Sequence, residues 1–328
     1  MGGTILILSK TSLFDEAAAT GFRPDTLEKV IRLLDLLTQI NQDDFLKDRL
    51  VLKGGTALNL FIFDVPRLSV DIDVNYIGAP DLDTMQKERP HVEELLTAIS
   101  ERAGYTMNRI AREHAGGKWR LGYQSAMGGQ ANLEVDLNYM FRVNFHPVVK
   151  TDSKKLGSNQ ALQIPILDTK ELTAGKLSAL LTRTASRDLF DASNLLQNQD
   201  PKDEDLRLMY VLYGAMNPRA NWCDVSAENI TADLKDLREK LIPVLKSAGA
   251  PDAKQYEKYA GDLVADCKRL MAPLFPLREN ESEFISALRD KGELLPELLS
   301  KDDAFIEKAK IHPGLLRRAD MAKKKGAG

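Results

Sequence analysis

Nine consecutive residues, 68–76, constrain the fold more than any other stretch. Leu68, Val70, Ile72, Val74 and Tyr76 alternate with Ser69, Asp71, Asp73 and Asn75, the period of a strand with one apolar and one polar face. Asp71 and Asp73 therefore share the polar face, roughly 6.5–7 Å apart at Cα. Two carboxylates placed this way repel each other unless a cation joins them, and both are within reach of one pair of divalent ions.

Upstream, the apolar run Leu50-Val51-Leu52 ends at Lys53-Gly54-Gly55, and Thr56-Ala57-Leu58-Asn59-Leu60-Phe61 has helical composition. This is strand, tight turn and helix start, where free backbone N–H groups and the helix dipole favour a phosphate. A Gly-Gly pair alone marks only a turn. Followed by a strand carrying Ser-x-Asp-x-Asp, it reads as a triphosphate cradle beside a metal site.

Lys53-Gly54-Gly55-Thr56-Ala57-Leu58, followed by Arg67-Leu68-Ser69-Val70-Asp71-Ile72-Asp73, resembles the first motif of the nucleotidyltransferase toxins of bacterial abortive-infection (phage defence) systems. These are the AbiEii/AbiGii type, to which the mycobacterial MenT toxins also belong. The resemblance implies an α+β chain: a DNA polymerase β-like nucleotidyltransferase domain with a small mixed sheet, followed by an all-α C-terminal domain.

Composition agrees with two domains. The chain has 328 residues, 43% hydrophobic, enough for a sizeable core at roughly 100–200 residues per domain. No segment approaches the ~20 apolar residues of a membrane span, and the first ten residues lack a basic region followed by a long apolar one. A cytoplasmic protein without a membrane partner is expected. Cys223 and Cys267 are the only cysteines, which offers neither a zinc site nor a disulfide framework. The formal charge of −3 argues against a generally basic coat for nucleic acid but leaves room for a local patch.

In chain order, Leu27, Val30, Ile31, Leu34, Leu37 and Ile40 predict an amphipathic helix over 24–49, with Pro24 in its first turn. A second helix is predicted over 82–104. The following residues read as antiparallel strands, with 118–123 and 131–139 flanking a hairpin loop at 126–130. In the second of these, Leu133, Val135 and Leu137 face one way and Glu134, Asp136 and Asn138 the other. Asp136 is the candidate third carboxylate, since the family resembled here takes two aspartates from one strand and a third from a nearby strand. Glu134 is its substitute.

Residues 145–167 read as a polar loop closing the first domain, so that the boundaries fall at 1–165 and 166–328. Asp168 and Glu171 form a capping-box-like start to a helix that carries Lys176. The next helix carries Asp188 and Asp191 on one face. By residue type alone these are an ordinary snorkelling lysine and an acidic first turn. The resemblance assigns them to the family's later motifs, with Lys176 as the motif lysine and Asp191 a better match than Asp188 for the acid. Beyond residue 200 several helices follow, without a catalytic pattern. The basic residues Arg317, Arg318 and Lys323-Lys324-Lys325 read more simply as a solvated terminus than as an RNA contact, and the Gly-Ala-Gly end is expected to be disordered.

The expected chemistry is transfer of a nucleoside monophosphate from an NTP to a hydroxyl. Asp71, Asp73 and Asp136 would hold Mg²⁺ or Mn²⁺, and Lys53, Gly54, Gly55, Thr56, Ser69 and Lys176 would hold the nucleotide. Asp191 would orient Lys176 or the base. The resemblance implies the 3′ end of tRNA as acceptor, translation as the process blocked, and a transcription-regulating antitoxin as partner. Two other classes fit the same cradle: a transferase acting on a protein hydroxyl, and a non-catalytic sensor of GTP or another NTP.

Overall fold

The computed structural model describes residues 5–113 and 115–326. The last two residues of the Gly-Ala-Gly end lie outside them. The chain divides into two compact units: Met1–Arg142 with Val148–Leu167 and Pro243–Ala250, and Val143–Pro147 with Asp168–Ile242 and Pro251–Gly328.

The first unit is a mixed sheet under helices. Among the described residues the sheet has seven strands: β1 (Leu50–Lys53), β2 (Asp71–Tyr76), β3 (Thr106–Glu113), β4 (Gly116–Gln124), β5 (Gln130–Asn138), β6 (Val149–Thr151) and β7 (Ile164–Ile166). Their spatial order is β3-β4-β5-β2-β1-β7-β6. β2 runs antiparallel to β1 and parallel to β5, which places it at the centre. Ile72, Val74 and Tyr76 are buried, as are Leu133, Val135 and Leu137 on β5. Helix α1 spans Lys10–Thr20, and α2 (Pro24–Asn41) packs on β2, β5 and β7 with Leu27, Val30, Ile31, Leu34 and Leu37 inside. The helix predicted to reach residue 49 stops at Asn41. Asp43 Oδ1 accepts from the amides of Phe45 and Leu46, which turns the chain before a short 3₁₀ turn at Leu46–Asp48.

Two further departures have local causes. The region read as a polar loop supplies β6 and β7, strands of only three residues whose pattern is too short to stand out in sequence. β1 recruits β7 in parallel at Leu52 and Ile166. The predicted hairpin does form. Its turn is closed by Ser125 N to Gly129 O and Gly128 N to Ser125 O, with Gly128 and Gly129 both at positive φ. α4 (Leu82–Arg102) starts at Asp81, whose side chain accepts from Thr84 N. The segment Pro243–Ala250 completes this unit: the Leu68 amide donates to the Val244 carbonyl, and Arg67 bridges Leu245.

The second unit is helical: α5 (Thr169–Leu180), α6 (Ser186–Gln197), α7 (Glu204–Met216), α8 (Leu234–Asp236), α9 (Tyr256–Met271), α10 (Glu279–Ser286), α11 (Asp303–Ile311) and α12 (Pro313–Gly326). α5 packs on α6 and α7, and α6 on α9. Asp168 caps α5 by accepting from Lys170 N. Glu171 does not complete the capping box. Its carboxylate, itself buried, accepts from the His146 amide and the Tyr213 hydroxyl instead, and both donors are half-buried beside it.

Candidate functional site

β1 delivers the chain into the Gly54–Gly55 turn. Gly54 adopts φ +70, and a Cβ there would collide with Asp73 Oδ2. Only glycine meets both conditions at low cost. Helical structure starts at Gly54, in α3 (Gly54–Ala57), and continues as a π-helical turn over Leu58–Ile62. The Thr56 hydroxyl donates to the Asp71 carbonyl at 2.5 Å and thereby ties the turn to β2. A Cβ on Gly55 would come within 2.9 Å of both Arg67 Nη2 and Ser69 Oγ. The turn, Ser69 and Asp73 are thus one packed assembly.

The registers place the acidic side chains. Asp73 lies opposite Asp136 and Asp71 opposite Glu134 on the parallel pair β2 and β5. On the other side Asp73 lies opposite Lys53 of β1. Residues opposite one another share a face, and neighbouring strands are ~4.8 Å apart. Asp71, Asp73 and Asp136 therefore stand together, all half-buried. Among the described residues no three His, Cys, Asp or Glu side chains are gathered closely enough to hold an ion as they stand. The donor set is nevertheless all oxygen, which suits a hard cation such as Mg²⁺ or Mn²⁺, and rotation about side-chain bonds is enough to converge carboxylates one strand spacing apart.

Glu134, the substitute acid, is differently engaged. Its Oε2 is 2.6 Å from Lys118 Nζ and its Oε1 is 2.7 Å from Arg120 Nη2. Burial raises its carboxyl pKa, but the bonds from these two cations outweigh that and hold it below the usual carboxylate range. Lys118 is raised by its bond to Glu134, with the charges of Asp136 and Asp71 adding to the effect.

Sequence reasoning passed over Lys118, Arg120 and Arg67. The first two alternate with Trp119 and Leu121 and so belonged to a polar face, but only the register places that face beside Asp136. Arg67 stood inside the quoted motif. Its guanidinium is buried, with Nη1 donating to the Leu68 carbonyl at 2.8 Å.

In the helical unit, Lys176, Asp188 and Asp191 come together. Lys176 Nζ is 2.8 Å from Asp188 Oδ1 and 2.9 Å from Asp191 Oδ2, and all three are buried. Asp188 also accepts from Arg183 Nε at 2.6 Å. Burial raises the Asp188 pKa, and the Lys176 charge and the Arg183 bond more than reverse the effect, leaving it lowered. Both aspartates, rather than one of them, hold the lysine.

The mixed sheet has a Gly-Gly turn packed on its central strand β2, which starts at Asp71 and so leaves Leu68–Val70 of the predicted strand outside it, with a further aspartate on the adjoining strand; this is an arrangement a nucleotidyltransferase can use. The profile of a family described as nucleotidyl transferase AbiEii toxin, type IV TA system, matches residues 35–271, more than half of the chain. The protein belongs to that family of nucleotidyltransferase toxins. Its fold is similar to that of MenT4, a nucleotidyltransferase toxin from Mycobacterium tuberculosis H37Rv. The TM-score is 0.57 at 18% sequence identity, with 94% of this chain and 99% of that chain covered. Among curated proteins none matches. Among the described residues no helix is long and apolar enough to cross a membrane.

Proposed function

We propose that the protein transfers a nucleoside monophosphate from an NTP to the 3′ hydroxyl of an RNA, with tRNA as the acceptor, and so blocks translation in the cytoplasm until a cognate antitoxin of the transcription-regulator type restores growth. The observation that carries this reading is the packing of the Gly54 turn against Asp73, with Asp71 and Asp136 on the same face. Asp71, Asp73 and Asp136 are assigned to a Mg²⁺ or Mn²⁺ site. Bound there, the cation would neutralise the polyphosphate and polarise the phosphoryl group under attack.

The chain's own residues supply the rest. The amides of Gly54 and Gly55, the Ser69 hydroxyl and Lys53 bind the polyphosphate, while Thr56 holds their turn to β2. Asp136, one strand away from Asp73, is assigned the proton of the acceptor hydroxyl. Lys176, Asp188 and Asp191 take the roles of the later family motifs, an ammonium held in position by two carboxylates. The domains are assigned accordingly, transferase over 1–165 and motif-bearing helices over 166–328.

The test is incubation of purified protein with each labelled NTP, Mg²⁺ and total tRNA. Label on the tRNA 3′ end, lost in Asp71→Ala, supports the reading. Label on Ser, Thr or Tyr of a protein instead, or tight NTP binding without turnover, replaces it.

A further inference from the structure

Across β4, β5, β2 and β1, the residues in register are Lys118, Asp136, Asp73 and Lys53. Two residues along, Arg120 is in register with Glu134, and Glu134 with Asp71. The carboxylates thus occupy the two central strands and the cations flank them on both sides. At ~4.8 Å per strand the row from Lys118 to Lys53 spans about 14 Å at Cα.

An in-line displacement needs the attacking oxygen and the leaving polyphosphate on opposite sides of the phosphorus. Lys53 and the Gly54–Gly55 turn adjoin one end of the row, where the polyphosphate is assigned. Resting on that proposed reaction, the acceptor must approach from the other end, past Asp136 and over β4. Lys118 and Arg120 are the cations it meets there, with side chains 48% and 47% exposed. Both are bonded to one carboxylate, Glu134, so the trio carries a net positive charge. An incoming anion can share the two exposed cations with Glu134, which is itself only 21% exposed and keeps a partner in that way.

We infer that Lys118 and Arg120 form a phosphodiester-binding site for the terminal backbone of a nucleic-acid acceptor, with Glu134 as the counter-ion that holds them until it arrives. An RNA 3′ hydroxyl brings a phosphodiester one nucleotide away. A protein hydroxyl brings none. The site therefore selects a nucleic acid over a protein as the acceptor class.

The test uses the full-length protein and a 5′-fluorescein single-stranded RNA oligonucleotide, with binding read by anisotropy in the absence of NTP and divalent metal. In the Lys118→Ala, Arg120→Ala double variant, RNA affinity is expected to fall at least about tenfold, and the slope of log K against log salt to shrink by about 1.4, two contacts at ~0.7 each. In the labelling assay the KM for RNA rises and the KM for NTP stays as in the wild type. Glu134→Gln is expected to tighten RNA binding, since it removes the competing anion. Thermal melting checks that the variants fold. An unchanged RNA affinity and salt slope in the double variant overturns the inference, and so does wild-type label that goes to a protein while RNA does not bind. If the wild type binds NTP and labels nothing, the transfer reaction itself fails. If it labels RNA and the double variant does so with an unchanged KM for RNA, only this site fails.

Discussion

The Asp73 carboxylate occupies the space that a side chain on Gly54 would need, and Gly54 itself stands at φ +70. A backbone requirement and a steric one thus coincide at the turn. Gly54→Ala is expected to lose about 1–2 kcal/mol of stability from the left-handed backbone, and nucleotide incorporation is expected to fall by more than that loss explains, because the carboxylate is pushed aside. Gly21→Ala is the control. Gly21 has φ +77 with nothing near its missing Cβ, so it should show the stability loss alone. Urea denaturation and NTP incorporation, measured side by side, separate the two effects.

Asp71→Asn is expected to reduce incorporation on the order of 10²–10³-fold, about 3–4 kcal/mol of transition-state stabilisation. The variant should still unfold in one cooperative transition, since Asn is isosteric with Asp and half-buried there. Steady-state incorporation and differential scanning calorimetry provide the check, and retained activity would remove Asp71 from the metal site.

Lys176→Met leaves Asp188 and Asp191 buried without their shared cation, which is expected to cost about 3–5 kcal/mol. The sign with pH is specific. Asp188 has a lowered pKa, so its contribution in the wild type is present above its unfolded value near ~4 and is lost as pH falls through its folded value. The deficit of the variant should therefore narrow toward acid pH, where Asp188, left with Arg183 alone of its two described cations, takes up a proton. Urea unfolding of both proteins from pH 7 down to about pH 2 measures it.

His146 gives dependence of the opposite sense. Glu171, with Oε1 3.8 Å from Nδ1, prevails over burial together with Asp205, bonded to Nε2 at 3.0 Å, and the imidazole is pushed up to about 9. A raised pKa contributes stability that is complete below the unfolded value of ~6.5 and is lost as pH rises through about 9. Wild-type melting temperature should fall across that window, and the fall should be shallower in His146→Gln. Equal slopes would show that the protonated imidazole contributes nothing.

Several features were legible before any coordinates. The alternation of residues 68–76 placed Asp71 and Asp73 on one face, and that of 131–139 did the same for Glu134 and Asp136, because the side-chain period of a strand is a local property. The apolar spacing of α2 and the glycines of the β4–β5 turn were equally local. The extent of α2 was not, since Asp43 turns the chain with a side-chain bond that periodicity does not register. Nor were β6 and β7, which acquire strand form by pairing.

By itself, then, the sequence determined which residues are acidic, basic or apolar on each face, and that a glycine turn precedes the paired aspartates. What it left open was which faces meet. Whether Asp136 or Glu134 lies opposite Asp73 depends on the β2–β5 register: a shift of two residues would exchange them on the same face, while a shift of one would exchange polar for apolar positions across the whole strand. The burial of Ile72, Val74, Leu133, Val135 and Leu137 together fixes which face turns inward, and the pairing of residues far apart in sequence, Asp73 with Asp136, fixes the register within that face. The pairing of Lys176 with both Asp188 and Asp191, and the bridging of Lys118 and Arg120 by Glu134, belong to the same category. Charged side chains at these positions take their partners from tertiary packing, because the solvation they lose on burial must be replaced by whichever opposite charge the fold brings near.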